Sequence, residues 1–208
     1  MTTLSGHSYA SALAHLVLTG SSCWALSKIN SGVHGKYALG AYCLHLAHGV
    51  IGLFRYAIPQ HKSNYRFLQM IRAVYLRIRL VNSNLALPLM TVQVALLLKP
   101  AWQSFILFLL AIPSLHVLRY WVHKPYSVPE LEIFSQTLCL GALGYLSYSE
   151  GNDYGYALLF SCFAAVLIHR MTDEFSRRDL FVYALSFFVF FSYKTLHSSL
   201  PFYYRYFY

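Results

Sequence analysis

Long apolar stretches joined by very short linkers dominate this chain, and they leave few ways for it to fold. Seven stretches approach the roughly 20 residues that a helix needs to cross a bilayer. They run over Tyr9–Ser27, Tyr37–Phe54, Leu80–Leu98, Ala101–Leu118, Leu131–Ser149, Tyr154–His169 and Leu180–Tyr193. Charge is nearly confined to the gaps. Only 11% of the 208 residues are charged and 57% are hydrophobic, whereas a soluble domain carries about 25% charged residues. A charge at the bilayer centre costs a few kcal/mol, which explains the exclusion. The mean hydropathy of +0.47 agrees. The linkers are too short to form a separate soluble domain. The expectation is therefore an all-α polytopic membrane protein, one integral domain over residues 1–208, with about seven spans. If Tyr9–Ser27, diluted by Ser, Thr and Gly, does not cross, there are six.

The linkers also set an orientation. Arg55–Arg79, Arg119–Glu130 and Arg170–Asp179 fall on one side and carry 11 of the 16 Lys and Arg residues. The positive-inside rule then places the N-terminus in the cytosol and the C-terminus in a lumen or outside the cell. The first ten residues hold no Lys or Arg, so neither a secretory signal nor an arginine-rich transit segment is expected there. The endoplasmic reticulum or another endomembrane is the expected location. Lys99-Pro100 and Glu150–Asp153 are short enough to make antiparallel hairpins of the spans that they join.

Between the second and third spans, Asn64–Arg79 reads NYRFLQMIRAVYLRIR. Leu68, Ile71, Tyr75 and Ile78 recur at helical spacing. With Lys62, Arg66, Arg72, Arg77 and Arg79, this is the pattern of a basic interfacial helix on an anionic cytosolic leaflet, each cation contributing about 1 kcal/mol. The bland alternative is a basic loop that only sets topology. Cations that flank spans form no soluble basic face, so a nucleic-acid partner is not expected.

Polar residues inside the spans are few. His45 and His48 share one face of the second. Asn82, Asn84 and Gln93 make the third polar, and Pro88 removes one of its backbone donors. His116 lies in the fourth. Together they form the candidate intramembrane site. Hydrogen bonding between helices accounts for them without any chemistry. A cavity for a small solute or ion along the third span is the rival account, and a lipid-modifying enzyme using the histidines as acid–base or metal groups is another. No H-E-x-x-H, C-x-x-C-H, G-x-S-x-G or P-loop pattern occurs, so no catalytic residue, cofactor or metal is assigned. Glu130 and Glu132 open the fifth span, where the helix dipole favours them. Four scattered cysteines read as small hydrophobes.

Tyr9-Ala-Ser-Ala-Leu-Ala-His-Leu-Val-Leu18 and Asp179-Leu-Phe-Val-Tyr-Ala-Leu-Ser186, leading to Thr195-Leu-His197, resemble a family of small multi-pass proteins, transmembrane protein 276. The similarity covers about a fifth of the chain. It implies a polytopic membrane protein and brings no active site. The expected function is a non-catalytic accessory, assembly or scaffold subunit of an endomembrane complex, held by a membrane-protein partner or by a second copy of the chain.

Overall fold

The computed structural model describes residues 8–29, 35–59, 65–98, 103–123, 129–170 and 175–200. Side chains within 103–107, 120–123, 129, 169–170 and 175–178 lie outside that description. The described residues form seven helices: α1 (Tyr9–Lys28), α2 (Lys36–Ala57), α3 (Tyr65–Leu98), α4 (Gln103–His123), α5 (Pro129–Glu150), α6 (Asp153–Arg170) and α7 (Phe175–Ser199). There is no strand among them.

Local chemistry sets several of the ends. The Ser8 hydroxyl accepts the Ser11 N–H and caps α1, as serine does at helix starts. Gly35 precedes α2 at φ 89°, a region that glycine enters freely. It offers no side-chain cap, so the cap comes from α3: the Gln93 side-chain carbonyl accepts the Tyr37 N–H at 3.3 Å. A Cβ on Gly35 would fall on that amide. At the other end of α2, Ile58 turns extended ahead of Pro59, as residues before proline do. Between α5 and α6, Gly151 sits at φ 58° and the Asn152 side chain accepts the Gly155 N–H. This is the tight hairpin expected at Glu150–Asp153. Asn152 also donates to Ser198 and Ser199 of α7, at 2.9 and 3.2 Å, which ties the hairpin to that helix. The Lys99-Pro100 link lies outside the described residues, although α3 and α4 do pack together.

Direction alternates from helix to helix. Ser11 near the start of α1 meets Asp179 near the start of α7, while Trp24 packs on Phe190 and Tyr193. Those two helices therefore run parallel, as the first and last members of an alternating set of seven must. Around the bundle, α1, α2, α3, α5, α6 and α7 close a ring, α7 reaches across to α3 and α2, and α4 rides outside on α3 and α5. The ends of α2 and α6 and the starts of α1, α3, α5 and α7 share one face. It holds Arg55, Arg66, Arg72, Arg77 and Arg79.

Three helical segments are long and apolar enough to cross a membrane: Lys36–Ala57, Tyr65–Leu98 and Asp179–Ser199. Shorter apolar runs occur at Phe108–Arg119 and Asp153–Ile168. Seven spans are thus not shown, and three helices of this kind are consistent with a membrane protein. The partition of side chains points the same way. Leu13, Leu16, Phe134, Phe160, Phe163 and Phe187 face outward, while His15, Ser22, His45, His48, Asn82 and Thr91 are buried. An exterior this apolar around a polar interior suits lipid and would be a liability in water.

The interfacial helix expected over Asn64–Arg79 is not a separate element. Tyr65 to Leu98 forms one helix of 34 residues, about 51 Å long. No glycine or proline interrupts the run before Pro88, so nothing in the sequence ends the first segment. Its apolar stripe also turns inward. Ile71 and Tyr75 are buried and Leu68 and Ile78 half-buried against the protein rather than facing lipid.

Candidate functional site: a buried histidine–tyrosine–asparagine chain

Small and polar residues line the inner faces of α1, α2 and α3. The buried stripe of α2 runs through Ala38, Ala41, Tyr42, His45, His48, Gly49, Gly52 and Tyr56. This three-and-four spacing keeps one face of a helix turned to its neighbours. Gly49 and Gly52 let α1 approach. A Cβ on Gly52 would overlap the His15 ring, and one on Gly49 would lie 2.6 Å from the Thr19 hydroxyl. Membrane helices use small residues in this way.

The space so created holds a continuous hydrogen-bonded chain. Asn82 Nδ2 is 3.2 Å from His48 Nδ1. His48 Nε2 is 3.4 Å from the Tyr75 hydroxyl, and that hydroxyl is 3.2 Å from His15 Nε2. His15 Nδ1 is 2.7 Å from the Ser11 carbonyl. The two ends fix the direction of every bond. A carbonyl only accepts, so His15 carries its proton on Nδ1 and accepts the Tyr75 O–H at Nε2. An amide nitrogen only donates, so His48 accepts at Nδ1 and donates from Nε2 to the Tyr75 oxygen. Each imidazole with one proton then has both nitrogens satisfied.

Charges frame this chain at the basic end of the bundle. The Ser11 hydroxyl donates to Asp179 at 2.6 Å. The Arg55 guanidinium lies 4.4 Å from the centre of the Tyr75 ring and 4.9 Å from that of Tyr56. Arg79 sits 5.8 Å above the Phe181 ring. Cation–π contacts of this kind contribute about 0.5–2 kcal/mol.

Asn82 continues inward. Its Oδ1 is buried without a partner, as are both ring nitrogens of His45. Both residues line one cavity, with Gln136, Phe181, Leu185 and Phe188 among the other walls. Its volume is about 40 Å³, counted as room for the centre of a water molecule. That is enough for a few waters in single file.

The structure therefore brings together three of the six intramembrane residues singled out by sequence: His45, His48 and Asn82. It separates the others. Asn84 turns its amide back to the Leu80 carbonyl of its own helix at 2.9 Å. Gln93 caps α2 at the opposite end of the bundle. His116 is buried on the peripheral α4, its Nε2 without a partner. Among the proposed lipid contacts, Arg66, Arg72 and Arg77 are exposed, whereas Arg79 is half-buried over Phe181. Lys62 lies outside the described residues. Among the described residues, no group of three or more His, Cys, Asp or Glu is placed to hold a metal ion.

Tyr75 is the hub, and sequence reasoning took it for one of four stripe residues. The signal was present: its hydroxyl sits on the buried face with Ile71 and Asn82, at offsets of four and seven. Comparison of the chain with family models, with curated proteins and with solved structures gave no match.

Proposed function

We propose that the chain is a seven-span integral protein of an endomembrane, with a cytosolic N-terminus and a lumenal C-terminus. Its role is that of a non-catalytic accessory, assembly or scaffold subunit. The resemblance to the transmembrane protein 276 family belongs to this proposal. One observation carries the role: both ring nitrogens of His15 and of His48 are engaged, three of the four in bonds that join helices and the fourth in a bond from His15 back to the Ser11 carbonyl of its own helix. An acid–base or metal-ligating imidazole needs a nitrogen open to its substrate or ion. The same bonds make α1, α2 and α3 a rigid unit, the property needed in a part that others assemble on. Exposed Arg66, Arg72 and Arg77 give the basic end its contact with anionic head groups.

The test is extraction of the native membrane in mild detergent, followed by sizing and quantitative composition. A complex of fixed stoichiometry, containing a membrane-protein partner or a second copy of the chain, is the expected result. A monomer that turns over lipid would overturn the reading.

The cavity favours one alternative, a carrier for a small solute. Of the third-span residues on which that reading rests, Asn82, Asn84 and Gln93, only Asn82 lines the cavity, and His45 joins it there. Solute flux in reconstituted vesicles that His45→Leu abolishes would establish it in place of the scaffold.

A further inference from the structure

We propose that the cavity between α2, α3, α5, α6 and α7 is a binding site for an unbranched aliphatic alcohol, with its hydroxyl held between Asn82 and His45. The inference does not depend on the scaffold reading.

Three unpartnered atoms, Asn82 Oδ1, His45 Nδ1 and His45 Nε2, belong to two residues that line one slot. Both residues are 1% exposed. An orphaned polar atom at such depth carries a desolvation penalty that a ligand can relieve. Asn82 Oδ1 requires a donor. A His45 ring with one proton offers one donor and one acceptor. The two residues also lie close together in the fold. Asn82 is bonded to His48, and His45 is one turn from His48 on the same face, about 4.5 Å along the axis.

The group that fits is a neutral hydroxyl. Its O–H donates to Asn82 Oδ1, and its oxygen accepts the His45 N–H. A carboxylate brings no donor for Asn82 and places a charge among apolar walls. An ammonium brings no acceptor for His45 and does the same. The rest of the ligand is set by shape. Phe181 and Phe188 both line the slot seven residues apart, so it runs about 10 Å along α7. Forty cubic ångströms over that length is a cross-section of about 4 Å² for atom centres, one row of atoms wide. An unbranched chain passes in single file and a fused-ring sterol does not. Leu87, Leu185 and the Phe188 ring, which packs on His45 with centroids 5.0 Å apart, supply the apolar contact.

The hydroxyl has two sources, a long-chain alcohol of the bilayer or a short alcohol from water. Photolabelling separates them. The full-length protein in phosphatidylcholine nanodiscs is exposed to a diazirine-bearing dodecanol, and labelled peptides are mapped by mass spectrometry. Label should concentrate on the segments around 162–166 and 185–188. Unlabelled 1-dodecanol should displace it about tenfold better than dodecane, because only the alcohol completes the buried hydrogen bonds. Displacement by 1-butanol at equal membrane mole fraction would assign the site to a short alcohol; its failure would assign it to the lipid phase. His45→Phe should abolish the focused label. Ala165→Leu fills the same slot from α6, leaves His45 and Asn82 in place, and should do likewise. Label spread over the outward Phe160, Phe163 and Phe187 and insensitive to Ala165→Leu would overturn the proposal. Equal displacement by dodecane and dodecanol would overturn it too.

Discussion

Replacing Tyr75 with phenylalanine removes one oxygen and keeps the ring. The oxygen is the middle of the buried chain, so at least two bonds go with it, the 3.4 Å bond from His48 and the 3.2 Å bond to His15, beside its contact with the Tyr56 hydroxyl. Interhelical hydrogen bonds in membrane proteins contribute about 0.6 kcal/mol on average and about 1.7 at most. Two of them give a loss of about 1–3 kcal/mol. The ring stays under Arg55 and against His15, His48 and Tyr56, so cation–π and aromatic contacts do not add to the change. Reversible unfolding in mixed micelles with rising dodecyl sulfate measures it, followed by the fluorescence of the three tryptophans. Tyr148, 77% exposed, supplies the control: Tyr148→Phe should change stability by less than about 0.5 kcal/mol, as surface substitutions do. If Tyr75→Phe costs no more than that control, the chain does not join the helices and the scaffold argument loses its support.

Gly52→Ala places a methyl group on the His15 ring and should cost about 1–3 kcal/mol by overpacking, with Gly141→Ala, which meets nothing within 4 Å, unaffected in the same unfolding assay. Gln93→Leu removes the remote cap of α2 and should cost about 1 kcal/mol. It should also speed amide exchange at Tyr37 without disturbing the histidine chain, as hydrogen exchange by mass spectrometry would show. Changing Arg66, Arg72 and Arg77 together to glutamine should lower the amount of anionic lipid retained on purification. Unchanged retention would remove the basic end from that role.

Much of the architecture is legible in the sequence because lipid leaves so few solutions. Every stretch marked out as a possible span lies largely within a helix, and the Gly151-Asn152 hairpin is written in two residues. The stripe of α2 is legible as well, since His45, His48, Gly49 and Gly52 repeat at helical spacing. Three things are not. The inward turn of the first part of α3 depends on tertiary packing of Tyr75 and Ile71, which makes a basic segment part of the bundle rather than a strip on the membrane. The fates of Asn84 and Gln93 depend on which way each amide turns: to its own backbone in one case, and to the start of α2 in the other. The partnership of His15 with His48 depends on which helices are neighbours. No spacing rule relates residues that far apart in sequence. Only with α1 against α2 does the Gly52 gap acquire its purpose.

The central claim is that His15 and His48 are joints, with their ring protons fixed by the ends of one chain. Nitrogen-15 chemical shifts of ring-labelled histidine in lipid nanodiscs at neutral pH test it most directly. Assignments come from His15→Gln and His48→Gln variants. The account predicts a proton on Nδ1 of His15 and on Nε2 of His48, a different tautomer for each, without exchange between forms. The same tautomer in both rings, or averaged signals from either, would contradict it.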